Sequence, residues 1–470
     1  MEAWVPVAAG LLWLWCAASF GVIGFIFSVI PGCLLLASGI STLLYSGDLR
    51  IPQFTALGGV LGVVLAIPSL FVEGPSTGLL LILLSAVSFL AAGSISVHQE
   101  PHQDDVPTPQ PSLRLFRQVA IDETILATLA LRQPNLMTDD YVRLRNEVHQ
   151  ARAMFRDRGW LDEPSSYHGT PPDLLEVRSR PARARSIAYE HVSFASEYEP
   201  YADEPGRDRW LSRTANRTAH AWVLRHRDDK PRPWLVCIHG YEMGIPAIDL
   251  MAFRAGHMHH HHGINVVLPI LPLHGPRKIG RSSGEGFIAG DFLDSIHAEA
   301  QAMWDIRRLL SWIRARGGEG EGNNAARRIG VYGLSLGGYN AALLSSLDDD
   351  LACVVAGIPA TDLVRLTWRH GSAMQVRFTE SNGVVHDEVA ELMSVVSPLV
   401  LAPRVARDRR YIFSGVADRL VPSDQPRDLW LHWDRPRIVW YQGAHVTFGM
   451  HPAVERMVDQ AWHDAEIITA

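Results

Sequence analysis

The 470-residue sequence predicts an α/β fold, with a mostly parallel, doubly wound sheet between helices, preceded by transmembrane helices. Two observations carry this prediction. Residues 1–97 hold almost no charge, whereas residues 98–470 hold nearly all of it. In the charged part, short apolar runs alternate with helical patterns, as in a parallel sheet covered by helices on both faces. The formal net charge is −7, and no clustered basic stretch points to nucleic-acid binding.

The amino-terminal region is apolar enough to cross a bilayer. Residues 8–30 contain no charge, and a membrane-spanning helix needs about 20 residues. Residues 54–72 and 78–96 are similar, while residues 33–46 are shorter and follow Pro31–Gly32, a predicted break. The first segment lacks the basic start of a cleaved signal peptide. The sequence therefore predicts four crossings, or three crossings and one re-entrant or interfacial piece.

Basic residues give a prediction of orientation. The loop with Arg50 and the chain after residue 97 are two crossings apart, so they lie on the same side. Arg114 and Arg117 follow on that side, whereas the opposite loop has only Glu73. Because basic loops favour the cytoplasm, we expect a multi-pass membrane protein with its large carboxyl-terminal part in the cytoplasm. The lipid bilayer is then its first expected partner, and its oligomeric state stays open.

Composition divides the rest of the chain. Residues 98–112 are rich in Pro, Gln, His and acidic residues, which is typical of a linker. Helical patterns at about 113–131 and 138–158 lie in a connecting segment, residues 113–185. Strand and turn patterns then fill residues 186–470, the predicted catalytic domain. The four cysteines have no metal-site or disulfide spacing, so reduced thiols are expected.

A motif in this last domain points to chemistry. Ser335 stands between Gly333 and Gly337, after the apolar run "RIGVYG" and before the helical pattern "GYNAALLSSL". G-x-S-x-G at a strand-to-helix junction is typical of a nucleophile elbow, in which a sharp turn exposes the serine hydroxyl at the sheet edge. Small residues on both sides let the strand and the helix approach closely. Such a serine needs a base, and the base needs an orienting acid.

The acid and the base follow in the expected order, which is serine, then Asp or Glu, then histidine. Asp418 comes just after the apolar run "YIFSG", and His445 comes just after "RIVWYQG". The carboxyl ends of parallel strands meet at one sheet edge, so we expect both side chains near Ser335. Asp362, which follows "ACVVAGIP", is the alternative acid.

An oxyanion hole requires two N–H donors. We expect the first from Leu336, directly after the serine. The second is expected from Tyr241, because "WLVCIHG" ends a strand just before it. Three further residues are candidates for the pocket rim, with structural loop contacts as the alternative: His239, His274 and Arg277.

A run of five histidines, His257 and His259–His262, invites a metal hypothesis. Consecutive residues on a helix fan out around its axis and do not all face one ion. The run also stands where a helix should end, and histidines are favoured at helix carboxyl termini. We therefore expect no metal site.

From about residue 186 onward the chain resembles the α/β-hydrolase superfamily, most closely its dienelactone-hydrolase and prolyl-oligopeptidase branch. The resemblance lies in "CIHGY", "GLSLGG", "GVADRLVP" and "GAHVTF". It implies hydrolysis of an ester, thioester or amide through an acyl-enzyme, with no cofactor, and it does not imply a substrate.

With the membrane region, the resemblance favours a serine hydrolase that cleaves a lipid or another hydrophobic acyl ester. Peptidase, thioesterase and acyltransferase activities remain alternatives, because they use the same residues. A non-catalytic, membrane-tethered binding module is the alternative from another class.

Overall fold

A computed structural model of the chain describes residues 2–45, 47–132, 138–228, 230–288, 291–316 and 328–468. They form two compact units, each built from several chain segments. The first unit comprises Met1–Gln133, Ser414–Asp424 and Trp440–His451. The second unit comprises Pro134–Phe413, Gln425–Val439 and Pro452–Ala470.

Helices dominate the first unit. Its helices are α1 (Trp4–Ser19), α2 (Gly21–Leu44), α3 (Ile51–Val72), α4 (Pro75–Gln99) and α5 (Leu113–Ala130). Among the described residues, α2, α3 and α4 are long and apolar enough to cross a membrane, whereas α1 is shorter. Many of their outward side chains are large and apolar, such as Val22 and Phe71. The helices thus fit a membrane region.

The break between the first two helices differs from the prediction. The chain turns at Phe20–Gly21, where Gly21 has a φ of +63°, and α2 then runs unbroken through Pro31. The predicted break at Pro31–Gly32 is therefore wrong. A proline has no backbone N–H, so the helix loses one hydrogen bond there. In an apolar, packed helix, neighbouring groups can satisfy the backbone oxygen that this leaves without a partner. A glycine, in contrast, readily adopts a positive φ, which lets the chain turn sharply.

Helix α5 packs closely on α4. A Cβ atom at Gly93 would lie 1.9 Å from the backbone oxygen of Phe116, so only glycine permits this approach. Val97 of α4 and Val119 of α5 share an apolar cluster with Ala417 and Ala444. In this cluster the apolar helices pack against the two short segments of the unit, Ser414–Asp424 and Trp440–His451.

The second unit contains a sheet of nine strands within the described residues. The strands are β1 (Arg178–Ala184), β2 (Ile187–Ala195), β3 (Thr218–Leu224), β4 (Trp234–Ile238), β5 (Asn265–Ile270), β6 (Ile329–Leu334), β7 (Cys353–Gly357), β8 (Arg410–Gly415) and β9 (Arg437–Tyr441). Their order is β1-β2-β3-β5-β4-β6-β7-β8-β9. The carboxyl ends of β8 and β9 lead into segments of the first unit.

The sheet is antiparallel from β1 to β5 and parallel from β5 through β4, β6 and β7 to β8. The chain passes from β4 to β5 and then crosses back over β4 to β6. With right-handed crossovers, the helices of these two connections cover opposite faces. The predicted α/β-hydrolase fold is confirmed.

The remaining helices belong to the second unit, with only the first residue of α15 in the other. They are α6 (Thr138–Asp157), α7 (Arg207–Leu211), α8 (Pro246–Ala252), α9 (Ala255–His260), α10 (Phe292–Arg316), α11 (Leu336–Leu344), α12 (Leu363–His370), α13 (Ala373–Ser381), α14 (His386–Met393), α15 (Asp424–His432) and α16 (Pro452–Asp464). The sheet begins earlier than residue 186. Its first strand, β1, is a largely exposed edge strand with the sequence RSRPARA. Charged residues and proline are common on edge strands, so no apolar pattern reveals it.

Candidate active site

Ser335 occupies a strained turn between β6 and α11. Its φ of 57° and ψ of −115° lie in a region that residues with a side chain rarely adopt. The turn is held by backbone hydrogen bonds: the Ser335 N–H donates to the Gly357 oxygen over 2.9 Å, and the Ser335 oxygen accepts from Tyr339 over 3.0 Å. This is the geometry of a nucleophile elbow.

The glycines around Ser335 are required by close packing. A Cβ atom at Gly337 would lie 1.8 Å from the backbone oxygen of Ile238, at the end of β4. A Cβ atom at Gly333 would lie 1.9 Å from the backbone oxygen of Gly337. Side chains at these two positions would force α11 away from the sheet and change the turn that presents Ser335.

The loop after β4 lies beside the serine. A Cβ atom at Gly240 would lie 3.4 Å from the Cβ atom of Ser335. The Met243 N–H donates to the Gly240 oxygen over 3.3 Å, which closes a turn with Tyr241 inside it. Leu336 is the first residue of α11, where a backbone N–H has no acceptor within its own helix. The loop of Tyr241 and the N–H of Leu336 thus belong to the surroundings of Ser335.

The three residues predicted for the pocket rim have fully buried side chains. His239 links two loops, since its Nδ1 contacts the Gly240 oxygen over 2.8 Å and its Nε2 accepts from the Leu271 N–H over 3.1 Å. Arg277 donates to Asp305 over 2.8 Å, in a buried ion pair. His274 contacts the Pro272 oxygen over 2.8 Å. These contacts match the structural alternative, in which the side chains support the loops from below.

Asp418 and His445 form a buried pair in the first unit. The Nδ1 atom of His445 lies 2.6 Å from Oδ2 of Asp418, and Oδ1 of Asp418 accepts the Val421 N–H over 2.8 Å. With a carboxylate as its partner, Nδ1 carries the proton, and Nε2 is left as the basic atom. This is the base-and-orienting-acid arrangement that a nucleophilic serine needs. Ser335 itself belongs to the second unit.

The sequence did not reveal a second carboxylate behind this pair. Asp122 of α5 is fully buried, and its Oδ2 accepts the N–H of His445 over 2.8 Å and the N–H of Arg419 over 3.1 Å. The guanidinium of Arg419, also buried, donates to Glu123 over 2.7 Å and to Glu100. Helix α5 thus holds both segments that carry the acid and the base. The signal was an acidic pair inside the apolar helical pattern "VAIDETILATLA".

The same contacts set the pKa values. Burial raises the pKa of Asp122 to about 7, the charge of Asp418 adds to this, and His445 with the two backbone N–H groups opposes it. For His445, burial alone lowers the pKa, but the charge and hydrogen bond of Asp418, together with the charge of Asp122, raise it overall. Asp122 therefore changes its charge near neutral pH, next to the base.

We expect Asp122→Asn to flatten the pH dependence of stability. Between the ordinary carboxyl pKa of 3.8 and the raised pKa of about 7, the folded protein holds a proton on Asp122 that the unfolded chain has lost. Stability therefore falls as pH rises through this window, and an uncharged Asn removes this contribution. Melting temperatures of the detergent-solubilised protein from pH 4 to 7 test this. Asp104→Asn, at an exposed position, is the control, and equal slopes in the two variants would contradict the expectation.

The alternative acid, Asp362, has a structural contact of its own. Its Oδ1 accepts the N–H of Arg365 over 2.9 Å, which makes Asp362 the N-cap of α12. A helix cap of this kind accounts for an acidic residue at that position without any catalytic role.

The histidine run spans the end of α9, which lies at His260, close to where the sequence predicts a helix end. His257, His261 and His262 come together, with one ring nitrogen from each within 4.8 Å of the others. His259 is buried elsewhere, and its Nδ1 contacts the Ile264 oxygen over 3.0 Å. The five histidines thus do not all face one centre, as expected, but three of them come together.

Comparisons with known proteins give two related sequences and a set of similar solved structures. No protein-family model matches the chain. Two uncharacterized proteins of Mycobacterium tuberculosis, MT2702 of strain CDC 1551 and Rv2627c of strain H37Rv, are each 41% identical over 373 residues, which are 79% of this chain and 87% of theirs.

Solved structures are similar at lower identity. Acetyl xylan esterase 1 from Thermoanaerobacterium sp. JW/SL YS485 is 16% identical with a TM-score of 0.45, over 65% of this chain and 93% of the esterase. Acetyl xylan esterase from Paenibacillus sp. R4 is 16% identical with a TM-score of 0.44, over 63% and 93%. A puromycin-hydrolyzing peptidase of Mycobacterium tuberculosis is 15% identical with a TM-score of 0.38, over 54% and 37%.

Proposed function

This chain belongs to the same family as the uncharacterized Mycobacterium tuberculosis protein Rv2627c, and it has the α/β-hydrolase fold. We propose that it is a membrane-anchored serine hydrolase. The proposed catalytic residues are Ser335, His445 and Asp418. The observation that carries the proposal is the strained backbone of Ser335, at a φ of 57° between β6 and α11. Strained backbone of this kind clusters at functional sites.

In the proposed reaction, Ser335 attacks the acyl carbon while Nε2 of His445 takes the hydroxyl proton. The bond to the leaving alcohol then breaks, the alcohol receives that proton, and an acyl-enzyme remains. Water, activated by the same imidazole, hydrolyses the acyl-enzyme and regenerates Ser335. Asp418 holds the imidazole in the required tautomer, which is supported by its 2.6 Å contact with Nδ1.

The developing oxyanion is proposed to bind the backbone N–H groups of Tyr241 and Leu336. This assignment is supported by the loop after β4, in which Gly240 lies beside Ser335. Asp122 is proposed as a positioning residue, because it accepts the backbone N–H of His445 and of the neighbour of Asp418. It touches no reacting atom, and it acts through the base that it holds.

The proposed substrate is a hydrophobic acyl ester, such as a lipid, and the proposed location of the catalytic residues is the cytoplasmic side. Three helices of membrane-spanning length support the first part, since they concentrate the enzyme where such esters dissolve. The positive-inside rule, applied to Arg50 and the chain after residue 97, supports the second. The proposal needs no metal or organic cofactor at the serine.

Fluorophosphonate labelling tests the proposal directly, because the probe reacts only with an activated serine. We expect the full-length, detergent-solubilised protein to be labelled and Ser335→Ala to remain unlabelled. Ser346→Ala is the matched control, since Ser346 is a buried serine of the same region that donates to the Leu401 oxygen over 3.1 Å. It should be labelled like the wild type. A folded wild type that stays unlabelled with lipid vesicles present would favour the non-catalytic binding module.

The same probe tests orientation and substrate class. A membrane-impermeant fluorophosphonate should label cells that produce the protein only after lysis, and labelling of intact cells contradicts the cytoplasmic assignment. Competition by p-nitrophenyl acyl esters, acyl thioesters and peptides then ranks the substrate classes. Preferential competition by a long-chain ester supports the lipid substrate, whereas preferential competition by a thioester or peptide replaces it.

A further inference from the structure

The histidine run outside the proposed catalytic residues builds a second cluster. His257 and His261 are one helical turn apart, and the His261 N–H donates to the His257 oxygen over 2.8 Å. Their rings stack, with centroids 4.7 Å apart and planes at 15°. Two histidines at this i, i+4 spacing are a recurring pair of zinc ligands.

His262 adds the third ring. Because α9 ends at His260, the chain leaves the helical path and turns this ring back toward the pair. Its centroid lies 5.0 Å from that of His257 and 5.0 Å from that of His261, with the ring nearly perpendicular to both. In this arrangement two imidazole rings stack and the third lies across them, so each ring can point one nitrogen toward a common centre.

The distances require only small side-chain rotations. One ring nitrogen from each histidine already lies within 4.8 Å of the others. Bonds of about 2.0–2.1 Å to a tetrahedral ion place two ligand nitrogens about 3.3 Å apart. His261 is exposed and His262 is half-buried, so these rings have room to turn and an ion has access from solvent.

The ring nitrogens of the cluster are available as ligands. Among the described residues, no hydrogen bond is found for the ring nitrogens of His257, His261 or His262, although other histidines of the protein have such bonds. Neutral imidazole is the form of histidine that binds a metal.

We propose that His257, His261 and His262 bind a divalent transition-metal ion of the zinc class. The site lies at the carboxyl end of α9. It is independent of the proposed hydrolase activity and takes no part in the chemistry of Ser335. Nickel and copper ions prefer the same imidazole donors and are expected to compete with zinc.

Calorimetric titration of the full-length protein with zinc chloride tests the site, with purification by a tag that contains no histidine. We expect one ion per chain at pH 7.5, a higher melting temperature with the ion bound, and weaker binding at pH 5, because protons compete with the metal for the imidazole nitrogens. His261→Ala should weaken binding at least tenfold, since loss even of an outer-shell partner costs about 10–100-fold.

His260→Ala is the matched control, because His260 is exposed, lies in the same run and stands outside the cluster. It should bind zinc like the wild type. Equal weakening in both variants would mean loose binding by the whole run and would overturn the site, as would the absence of binding to the folded wild type.

Discussion

Asp418→Asn is expected to lower the rate of acyl-ester hydrolysis by about 10⁴-fold while the fold is kept, the size of loss typical when the orienting acid of such a triad becomes an amide. The Asn oxygen retains the contact that Oδ1 of Asp418 makes with the Val421 N–H. Its amide nitrogen then faces Nδ1 of His445. Because that nitrogen is a donor, it forces the proton onto Nε2, and the imidazole can no longer accept the serine proton.

Asp362→Asn is the matched control for this substitution. Asp362 caps α12 through the Arg365 N–H, and asparagine caps helices about as well as aspartate. Its rate should therefore stay close to that of the wild type. Hydrolysis of p-nitrophenyl esters by both variants, with melting temperatures to confirm folding, decides between the two acids. A large loss in Asp362→Asn with full activity in Asp418→Asn would reverse the assignment.

Local patterns predicted much of this molecule. The glycines around Ser335 mark the elbow because the turn excludes any Cβ atom at Gly333 and Gly337. Alternating strands and helices gave the parallel sheet, and the order of Asp418 and His445 along the chain anticipated their pairing. These features depend on a few neighbouring residues or on one periodicity, so they can be recognised without the structure.

Long-range contacts could not be predicted from the sequence. Asp122 meets the N–H of His445 across 323 residues of sequence, and no local pattern encodes such a partner. The histidine cluster depends on the exact residue at which α9 ends, and helix ends are poorly defined by sequence. Proline destabilises a helix exposed to water, which predicts a break at Pro31, but this rule is weaker in an apolar, packed environment.

The contact network around Arg419 gives the second large expectation. Arg419 directly follows Asp418, and its buried side chain pairs with the fully buried Glu123 of α5 and with the half-buried Glu100. Removing one partner of a buried ion pair leaves the other charge without compensation, which costs about 3–5 kcal/mol. We therefore expect Arg419→Met to lower the unfolding free energy by this amount, measured by denaturant titration in detergent.

Two comparisons make this expectation specific. Arg437→Met removes a largely exposed ion pair with Asp464, at 3.3 Å, and should cost at most about 1 kcal/mol. Adding Glu123→Gln to Arg419→Met removes one of the uncompensated charges, so the double variant should be more stable than Arg419→Met alone. If Arg419→Met costs no more than Arg437→Met, or if Glu123→Gln adds a further loss, the buried charges do not hold the Asp418 segment to α5.

If both expectations are met, the helices before residue 133 are part of what keeps the acid and the base in place. A catalytic domain cut away from these helices should then lose its activity along with its anchor.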